Sequence, residues 1–333
     1  MLAITEYTKK QNMNSNNVEH FPPRIAVIIP YFGKWPYFFH LFLKGCENNQ
    51  WLDILFFTDC PVPNQHPTNV YFYPSSLSSI SQLASKKLSA EIRIMNGYKL
   101  CDLRPFYGLV FTDYLKSYQY WGYGDIDLIY GDLKPFVIPR IEAGFDVLSS
   151  RKELLSGSFS LFRNNNFITN LGTRIPNYID KLRSKKHECL DETGHSNVVW
   201  EGGSKKDLPE ACFTKVVINA HDNHEIKASF ETICKEHIDS KEIIHYANRT
   251  IVFNNQNLGY YHFVCNKNDP KYILPRWKEV PDDFCITKTG FYTVEQYKFY
   301  TLISKFRLIS GFSKFTSQRI LKKIRFRSNN YQA

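Results

Sequence analysis

The sequence predicts an α/β fold with a parallel sheet and helices on its faces, and three consecutive segments support this prediction. Residues 25–30 (Ile-Ala-Val-Ile-Ile-Pro) form a short uninterrupted apolar run, the pattern of a strand buried on both faces. An apolar helix is predicted over 36–48, and residues 52–57 form a second buried strand. A strand, a helix and a strand in succession are typical of parallel pairing.

The ends of these two strands hold candidate ligand contacts. Tyr31, Phe32 and Gly33 follow the first apolar run, and Thr58 and Asp59 follow the second. Open parallel sheets bind their ligands beyond the carboxyl ends of the strands. We therefore expect these five residues to contact a bound cofactor or substrate.

The later elements alternate between strand-like and helix-like patterns. Residues 70–73 predict a weaker strand, spaced apolar residues predict an amphipathic helix over 75–94, and Pro105 predicts a helix over 105–117. Further strands are predicted over 146–150 and 158–163, helices over 164–171 and 176–186, and strand-like pieces over 213–220, 243–253 and 258–265. Residues 187–206 are polar and irregular, and so long a stretch in a compact domain is typical of function.

The most informative motif lies at 120–132, Tyr-Trp-Gly-Tyr-Gly-Asp-Ile-Asp-Leu-Ile-Tyr-Gly-Asp. Its Asp125 and Asp127 are spaced i, i+2, so on an extended backbone both carboxylates point to one side. Two neighbouring carboxylates repel each other and lose hydration unless a cation or several donors join them. Oxygen ligands suit Mg²⁺ or Mn²⁺, which proteins hold with carboxylates and substrate phosphates. The alternative is a turn in which both side chains accept backbone N–H bonds.

Length and composition predict one large globular domain, with or without appendages. Of the 333 residues, 43% are hydrophobic, enough for a sizeable core, and 16% are aromatic, which suits a ring-lined cleft or a thick aromatic core. The eight cysteines have no metal-ligand spacing and are expected to be buried thiols in a reducing compartment. Residues 1–23 predict a disordered leader, and no apolar run has the length of a membrane span. We therefore expect a cytoplasmic protein.

The positive charge is concentrated near the end of the chain. Residues 296–333 contain nine Lys or Arg and no Asp or Glu, so this tail supplies +9 of the formal net charge of +10. Because the body is close to neutral, we do not expect it to bind nucleic acid. Apolar residues recur among the cations at roughly helical spacing, which is typical of attachment to anionic lipid. The alternative is a basic helix packed on the domain.

Several of these segments together resemble a bacterial family of glycosyltransferases from capsule and O-antigen gene clusters, which is similar to the GT-A superfamily. They are the first strand with its aromatic loop, residues 99–105 (Lys-Leu-Cys-Asp-Leu-Arg-Pro), the Asp125/Asp127 block and the strand that begins at Ser158. The resemblance covers about 25–291. It implies a GT-A-like, Rossmann-related mixed central sheet flanked by helices over 24–291, followed by a basic amphipathic helical tail over 292–333.

The resemblance also implies a nucleotide-sugar donor, with a UDP-sugar as the first candidate, and a bound Mn²⁺ or Mg²⁺. Asp125 would face the ribose or sugar of the donor, and Asp127 would bind the metal. His262, at the end of an apolar strand, would supply a further contact to the metal or diphosphate. The residues after His262 depart from the basic continuation expected in the family, and Lys267 is a candidate substitute. The alternative for His262 is a buried structural histidine.

Further charged residues are candidates with open alternatives. Lys99, Asp102 and Arg104 are expected near the donor, although Asp102 could cap a helix and Arg104 could lie on the surface. Asp191 and Glu192 resemble the acidic residue that inverting members place beneath the acceptor, where a carboxylate takes the proton of the attacking hydroxyl. The alternative is a loop carboxylate in water, and retention or inversion at the anomeric carbon stays open.

The expected acceptor is a hydroxyl of a surface glycan or a lipid-linked oligosaccharide, with the tail at an anionic membrane surface and no nucleic acid bound. Three other functions fit parts of the sequence: a non-catalytic glycan-binding protein, a protein whose tail binds nucleic acid, and a metal-dependent phosphohydrolase that uses the same carboxylates. Metal-dependent binding of a nucleoside diphosphate would favour the transferase over the first two.

Overall fold

The computed structural model describes residues 23–299 and residue 301. In chain order its strands are β1 (Ile25–Tyr31), β2 (Leu52–Thr58), β3 (Val70–Pro74), β4 (Tyr120–Gly124), β5 (Leu128–Tyr130), β6 (Val147–Ser149), β7 (Phe159–Arg163), β8 (Ala228–Phe230), β9 (Cys234–Lys235), β10 (Ile243–Ala247), β11 (Thr250–Phe253), β12 (Gln256–Leu258), β13 (Tyr260–His262), β14 (Asp283–Thr287) and β15 (Gly290–Thr293). Its α-helices are α1 (Phe39–Glu47), α2 (Leu77–Leu88), α3 (Tyr107–Val110), α4 (Lys134–Glu142), α5 (Asn166–Thr169), α6 (Tyr178–Arg183) and α7 (Phe213–Asp222). Short 3₁₀ segments cover Gly97–Phe106, Thr112–Tyr114, Leu171–Arg174 and Lys205–Asp207. The protein is a mixed α/β structure, as the sequence predicts.

A seven-stranded sheet forms the centre of the molecule, in the order β3-β2-β1-β4-β7-β6-β8. The first four of these strands are parallel, β7 is antiparallel to both β4 and β6, and β8 is parallel to β6. All strands except β7 therefore run in one direction. As a result, the carboxyl ends of β1, β4 and β6 and the beginning of β7 lie along the same edge of the sheet.

Two smaller sheets are built from the later part of the chain. β13 pairs with β5 in antiparallel fashion and with β9 in parallel fashion, which connects residues 128–130 to residues far along the chain. An antiparallel sheet in the order β12-β11-β10-β14-β15 packs its apolar side chains around Tyr246, Phe284 and Phe291. The strand-like patterns at 243–253 and 258–265 correspond to strands of these two sheets.

The side chains of β1 show why its apolar run is uninterrupted. Ala26 and Ile28 pack on the face covered by α2, α3 and α7, whereas Ile25, Val27 and Ile29 pack on the face covered by α1 and α4. Burial of each of the Ile and Val side chains contributes about 1.5–3 kcal/mol to the free energy of unfolding. The prediction of a strand buried on both faces is confirmed.

One strand-like prediction was wrong. Residues 213–220 belong to helix α7 rather than to a strand. Phe213, Val216, Val217 and Ala220 are buried on one side of this helix, and their spacing of three and four residues is the helical period. Packing of this face against the sheet outweighs the weak preference of β-branched residues for strands.

The helix predicted over 105–117 is instead a series of short turns, with the 3₁₀ segment Gly97–Phe106, the single turn α3 and the 3₁₀ segment Thr112–Tyr114. The backbone of Gly108 lies against the indole of Trp121, in a space that has no room for a Cβ atom. The hydroxyl of Thr112 donates to the carbonyl oxygens of Gly108 and Leu109 at 2.9 and 2.6 Å, which competes with continuation of the helix.

Two predictions concern residues largely outside the described range, namely the leader over 1–23 and the basic amphipathic tail over 292–333. No helix in the described part of the chain has both the length and the apolar character that a bilayer crossing requires. All eight cysteines are free, and five of them are buried, but Cys265 is exposed and Cys101 and Cys189 are half-buried.

Candidate active site

A cavity of about 700 Å³ opens at the edge of the central sheet where β1, β4 and β6 end. Tyr31 and Phe32 line it from the end of β1, Asp125 and Asp127 from the end of β4, and Arg151 from the end of β6. The chain leaves β1 toward β2 and β3 and returns to β4 on the other side of β1, so the strand order reverses at this point. Doubly wound sheets bind ligands at such a switch point.

The Asp125 and Asp127 carboxylates lie in the short connection between β4 and β5, and the backbone there is held on both sides. The N–H of Asp125 donates to the Ser158 carbonyl at 3.2 Å, and the Asp127 carbonyl accepts from the N–H of Phe263 at 3.1 Å. Gly124 allows the close approach to β7, because a Cβ atom there would lie 3.1 Å from the Ser158 carbonyl oxygen. Both carboxylates face the cavity.

The sheet of β5, β13 and β9 brings His262 to these carboxylates. His262 is paired with Leu128, the residue that follows Asp127. Its Nε2 lies 3.4 Å from Asp127 Oδ1 and 3.8 Å from Asp125 Oδ2. One ligand atom from each of the three residues lies within 4.8 Å of the others. His262 Nε2 is buried and makes no hydrogen bond with the described residues, so it could act as a ligand atom once it has lost its proton.

The other ring nitrogen of His262 is fixed by Glu236. Nδ1 of His262 lies 3.0 Å from Glu236 Oε1, and Oε2 of Glu236 accepts a hydrogen bond from Arg151 Nη1 at 2.5 Å. Glu236 directly follows β9, which pairs with β13 and so determines this contact. A carboxylate behind a histidine is the usual arrangement that orients a metal-binding imidazole.

The protein surrounds these carboxylates with positive charge. Lys267 Nζ donates to Asp127 Oδ2 at 2.7 Å. Burial favours the neutral form of Asp127, but His262 and Lys267 outweigh it and hold the pKa of Asp127 below its usual range. Burial likewise lowers the pKa of His262, whereas Asp127 and Glu236 outweigh it and raise the pKa to about 10. The charges of His262 and Lys267 thus balance these carboxylates, and a metal cation bound by Nε2 would replace the proton of His262.

Arg104 connects this cluster to a second pair of carboxylates. Its Nη2 donates to Asp125 Oδ1 at 2.5 Å, and its Nη1 donates to Asp191 Oδ2 at 2.8 Å. The guanidinium carbon also lies 5.6 Å from the ring centroid of Tyr123. Arg104 lies in the wall of the cavity and is mostly buried, so it is not a surface arginine.

Glu192 lies beside this arginine and lines the cavity. Its Oε1 accepts a hydrogen bond from the N–H of Gly157 at 2.7 Å. Burial and the neighbouring Asp191 carboxylate raise the pKa of Glu192 to about 7, against the opposing effects of the Gly157 N–H and Arg104. A carboxylate with this pKa is suited to accept a proton at neutral pH, whereas Asp191 is occupied by Arg104.

Two of the residues predicted near the donor form a buried ion pair outside the cavity wall. Lys99 Nζ lies 2.9 Å from Asp102 Oδ2, and the two side chains are 1% and 0% exposed. Asp102 accepts from the N–H groups of Glu188 and Leu190 at 2.8 and 3.0 Å, so it holds the loop that carries Asp191 and Glu192. It does not cap a helix, since Asn96 caps the 3₁₀ segment that contains it.

Three further predicted contacts also lie outside the cavity wall. Asp59 Oδ1 accepts from the N–H of Gly33 at 2.7 Å, and Thr58 Oγ1 accepts from the N–H of Cys60 at 3.0 Å. The first bond ties the loop after β1 to the loop after β2, and the second fixes the turn at the end of β2. Gly33, Thr58 and Asp59 thus shape the edge of the sheet beside Tyr31 and Phe32, which do line the cavity.

A second cluster has ligand atoms within 4.8 Å of one another and consists of Asp102, His187 and Asp191. Unlike Asp125 and Asp127, which line the cavity, its Asp102 is fully buried with Lys99 outside the cavity wall, so a ligand in the cavity has no access to it. The cluster is therefore better explained as a structural network than as a metal site.

A model for a protein family described as "Family of unknown function (DUF6625)" matches residues 27–295. The chain belongs to this family. The DUF6625 match includes six strands of the central sheet, all but the first two residues of β1, and every cavity residue named above. A comparison with curated proteins finds no match. The function of this DUF6625 protein must therefore be argued from the geometry of its cavity.

Proposed function

We propose that the protein is a metal-dependent glycosyltransferase that moves a sugar from a nucleotide-diphosphate donor to a hydroxyl of a glycan. The observation that supports this most directly is the convergence of Asp125, Asp127 and the unpaired Nε2 of His262 at the switch point of the sheet. Diphosphate groups carry negative charge that a carboxylate cluster repels, so a cation must join the two.

The strand order supports a GT-A-like fold as part of this proposal. The order 3-2-1-4 of the first four strands is that of a nucleotide-binding Rossmann half, and the antiparallel β7 makes the sheet mixed. The proposed donor lies across the β1 and β4 ends, with its nucleoside near Tyr31 and Phe32 and its diphosphate near Asp125 and Asp127.

The residues fit a divalent ion with oxygen and nitrogen ligands. Two carboxylates and one imidazole suit Mn²⁺ better than Mg²⁺, which prefers oxygen ligands alone. A bound ion would supply charge stabilisation to the departing diphosphate without any proton transfer. Glu236 would hold the His262 ring in orientation, and Lys267, now on Asp127, would be released to pair with a phosphate oxygen.

Glu192 is the proposed catalytic base. As the acceptor oxygen forms its bond to the anomeric carbon, the proton of that hydroxyl passes to Glu192, and the bond from the anomeric carbon to the diphosphate breaks with its electrons leaving on the diphosphate. Asp191 is less suitable, because Arg104 holds its carboxylate. A base that activates the acceptor directly favours a single displacement, which inverts the anomeric configuration.

The partners of the proposed reaction follow from the same chemistry. We take a UDP-sugar as the first donor to test and a surface glycan or lipid-linked oligosaccharide as the acceptor. The nine cations in residues 296–333 would place the enzyme at the anionic inner surface of the cytoplasmic membrane, where lipid-linked acceptors lie.

The proposed function is tested by thermal shift with a panel of nucleoside diphosphates, each with and without Mn²⁺. We expect at least one nucleotide to stabilise the full chain only when Mn²⁺ is present, because the cation bridges protein and diphosphate. Asp127→Asn should abolish this effect. Asp132→Asn is the matched control, since Asp132 belongs to the same motif but, among the described residues, accepts only a backbone bond from Lys134.

The products separate the proposed reaction from its alternatives. A transferase releases a nucleoside diphosphate from a nucleotide sugar, whereas a phosphohydrolase releases inorganic phosphate or a nucleoside monophosphate. If no nucleotide stabilises the protein in the presence of metal, or if Asp127→Asn responds like the wild type, the proposed function is wrong.

A further inference from the structure

The cavity has a defined order of chemical groups along the sheet edge. Tyr31 and Phe32 lie at the end of β1, and Asp125 and Asp127 at the end of β4. Next along the edge is Glu192, which accepts a hydrogen bond from Gly157 just before β7. Arg151, just after β6, is the last of these groups. In the sheet, β1 and β6 are separated by β4 and β7, which is roughly 14 Å at normal strand spacing. The two ends of the cavity can therefore hold different parts of a substrate pair.

An exposed tryptophan marks the β6 end of this cavity. Trp200 lines the wall from the irregular 187–206 loop, and it is 55% exposed. The guanidinium carbon of Arg151 lies 4.9 Å from its ring centroid. Arg151 in turn bonds Glu236, the residue that orients His262. A cation–π contact and an ion pair thus connect the tryptophan to the proposed metal ligands.

From this arrangement we infer that Trp200 is the platform for the terminal sugar of the acceptor, an inference that rests on the proposed function. A pyranose ring has an apolar face of C–H groups that packs on an indole face, where the negative π-surface attracts the slightly positive hydrogens. Glu192 lies between Trp200 and the Asp125/Asp127 pair in the edge order. A sugar on Trp200 would therefore present a hydroxyl to Glu192.

The same order argues against a donor role for Trp200. A nucleobase also stacks on aromatic rings. In the proposed arrangement it lies near Tyr31 and Phe32 at the β1 end, because the diphosphate at Asp125 and Asp127 separates the two ends of the cavity. A nucleoside on Trp200 would place the diphosphate across Glu192, whose carboxylate and neighbour Asp191 repel it.

The chain offers a matched control for this arrangement outside the cavity. Phe167 is 39% exposed, the guanidinium carbon of Arg174 lies 4.7 Å from its ring centroid, and Arg174 bonds Glu225 at 2.6 Å. An exposed aromatic ring, an arginine and a glutamate thus recur there without a cavity. Loss of Phe167 should remove a similar surface ring and leave sugar binding intact.

The test measures binding of a panel of methyl hexopyranosides to the full chain by isothermal titration calorimetry, with UDP and Mn²⁺ present. At least one glycoside should bind the wild type. Trp200→Ala should weaken that binding about tenfold or more, whereas Trp200→Phe and Phe167→Ala should stay within about threefold of the wild type. The Mn²⁺-dependent thermal shift by nucleoside diphosphate should be unchanged in Trp200→Ala.

Every other outcome would contradict either this inference or the proposed function. Equal glycoside binding by Trp200→Ala and the wild type, or no glycoside binding by the wild type, would overturn the inference. Loss of the nucleotide-dependent shift in Trp200→Ala would also overturn it, since Trp200 would then belong to the donor site. Absence of that shift in the wild type contradicts the proposed function instead, whatever the glycosides do.

Discussion

Glu236 lies 3.0 Å from Nδ1 of His262 and leaves Nε2 of the same ring directed at Asp125 and Asp127. If His262 is a metal ligand, Glu236 positions it. We therefore expect Glu236→Gln to weaken Mn²⁺ binding by about 10–100-fold, the usual effect of removing a carboxylate behind a ligating histidine. Titration with Mn²⁺, followed by the electron spin resonance of the free ion, measures this affinity.

Glu231→Gln is the control for that experiment, because Glu231 is a nearby carboxylate that bonds Ser229 and does not reach His262. It should bind Mn²⁺ as the wild type does. Equal Mn²⁺ affinity in Glu236→Gln and the wild type would show that Glu236 has no positioning role.

A second prediction concerns the pH dependence of donor turnover. Glu192 must be ionised to accept a proton, and burial with the nearby Asp191 charge raises its pKa to about 7. The rate of nucleotide-sugar turnover should therefore rise with pH and level off above about 7. Glu192→Gln should lower the rate by about 10²–10⁴-fold and remove this rise. A rise of equal size in Glu192→Gln would exclude Glu192 as the base.

The free energy of unfolding should change with pH in the opposite direction to the turnover rate. The pKa of Glu192 rises from 4.5 to about 7 on folding, so between these values the folded state binds the proton more tightly than the unfolded state. This contribution is fully present below pH 4.5 and is lost as the pH rises through about 7, at a cost of up to about 3 kcal/mol. Urea denaturation at pH 5 and pH 8 should show a smaller loss in Glu192→Gln than in the wild type.

The absence of a side chain at Gly157 allows three charged groups to pack around it. A Cβ atom there would lie 2.5 Å from Arg104 Nη1, 3.0 Å from Glu192 Oε1 and 3.1 Å from Asp191 Oδ2. Gly157→Ala should lower the free energy of unfolding by about 1–3 kcal/mol and reduce turnover, because the charged groups must move apart. Gly97→Ala is the control, since no atom lies within 4 Å of its added Cβ. Equal stability of both variants would contradict this account.

Short sequence patterns predicted those parts of the site that are formed by residues close together in the sequence. The first two buried strands and the Asp125/Asp127 motif follow directly from runs of neighbouring residues, and they place both carboxylates at the sheet edge. His262 was expected only through the resemblance to a known family. Its contact with Asp127 depends on the pairing of β13 with β5, which no local pattern reveals.

Other residues could not be placed from sequence because their environment is set by long-range contacts. Glu236 follows a strand of two residues, too short for a recognisable pattern. Trp200 lies in an irregular loop, where only the length of the loop indicated function. Lys99 and Asp102, in the 99–105 segment that carries the resemblance, were expected near the donor, but sequence alone does not separate a charge in a cleft from one in a buried pair.

The last prediction concerns the buried ion pair of Lys99 and Asp102. Lys99 Nζ lies 2.9 Å from Asp102 Oδ2 and also donates to the carbonyls of Lys181 and Lys186, both at 2.7 Å. Lys99→Met leaves the Asp102 carboxylate buried without its cation, which should lower the free energy of unfolding by about 3–5 kcal/mol. Urea denaturation measures the change.

The double variant Lys99→Met with Asp102→Asn separates the charge from the packing. It removes both charges and keeps one acceptor oxygen for the N–H of Glu188 or of Leu190, which bond different oxygens of Asp102, so it should recover part of the lost stability. Because those bonds hold the loop that carries Glu192, the double variant should also recover donor turnover relative to Lys99→Met. If it is no more stable than Lys99→Met, the loop depends on the lysine contacts with Lys181 and Lys186 rather than on the ion pair.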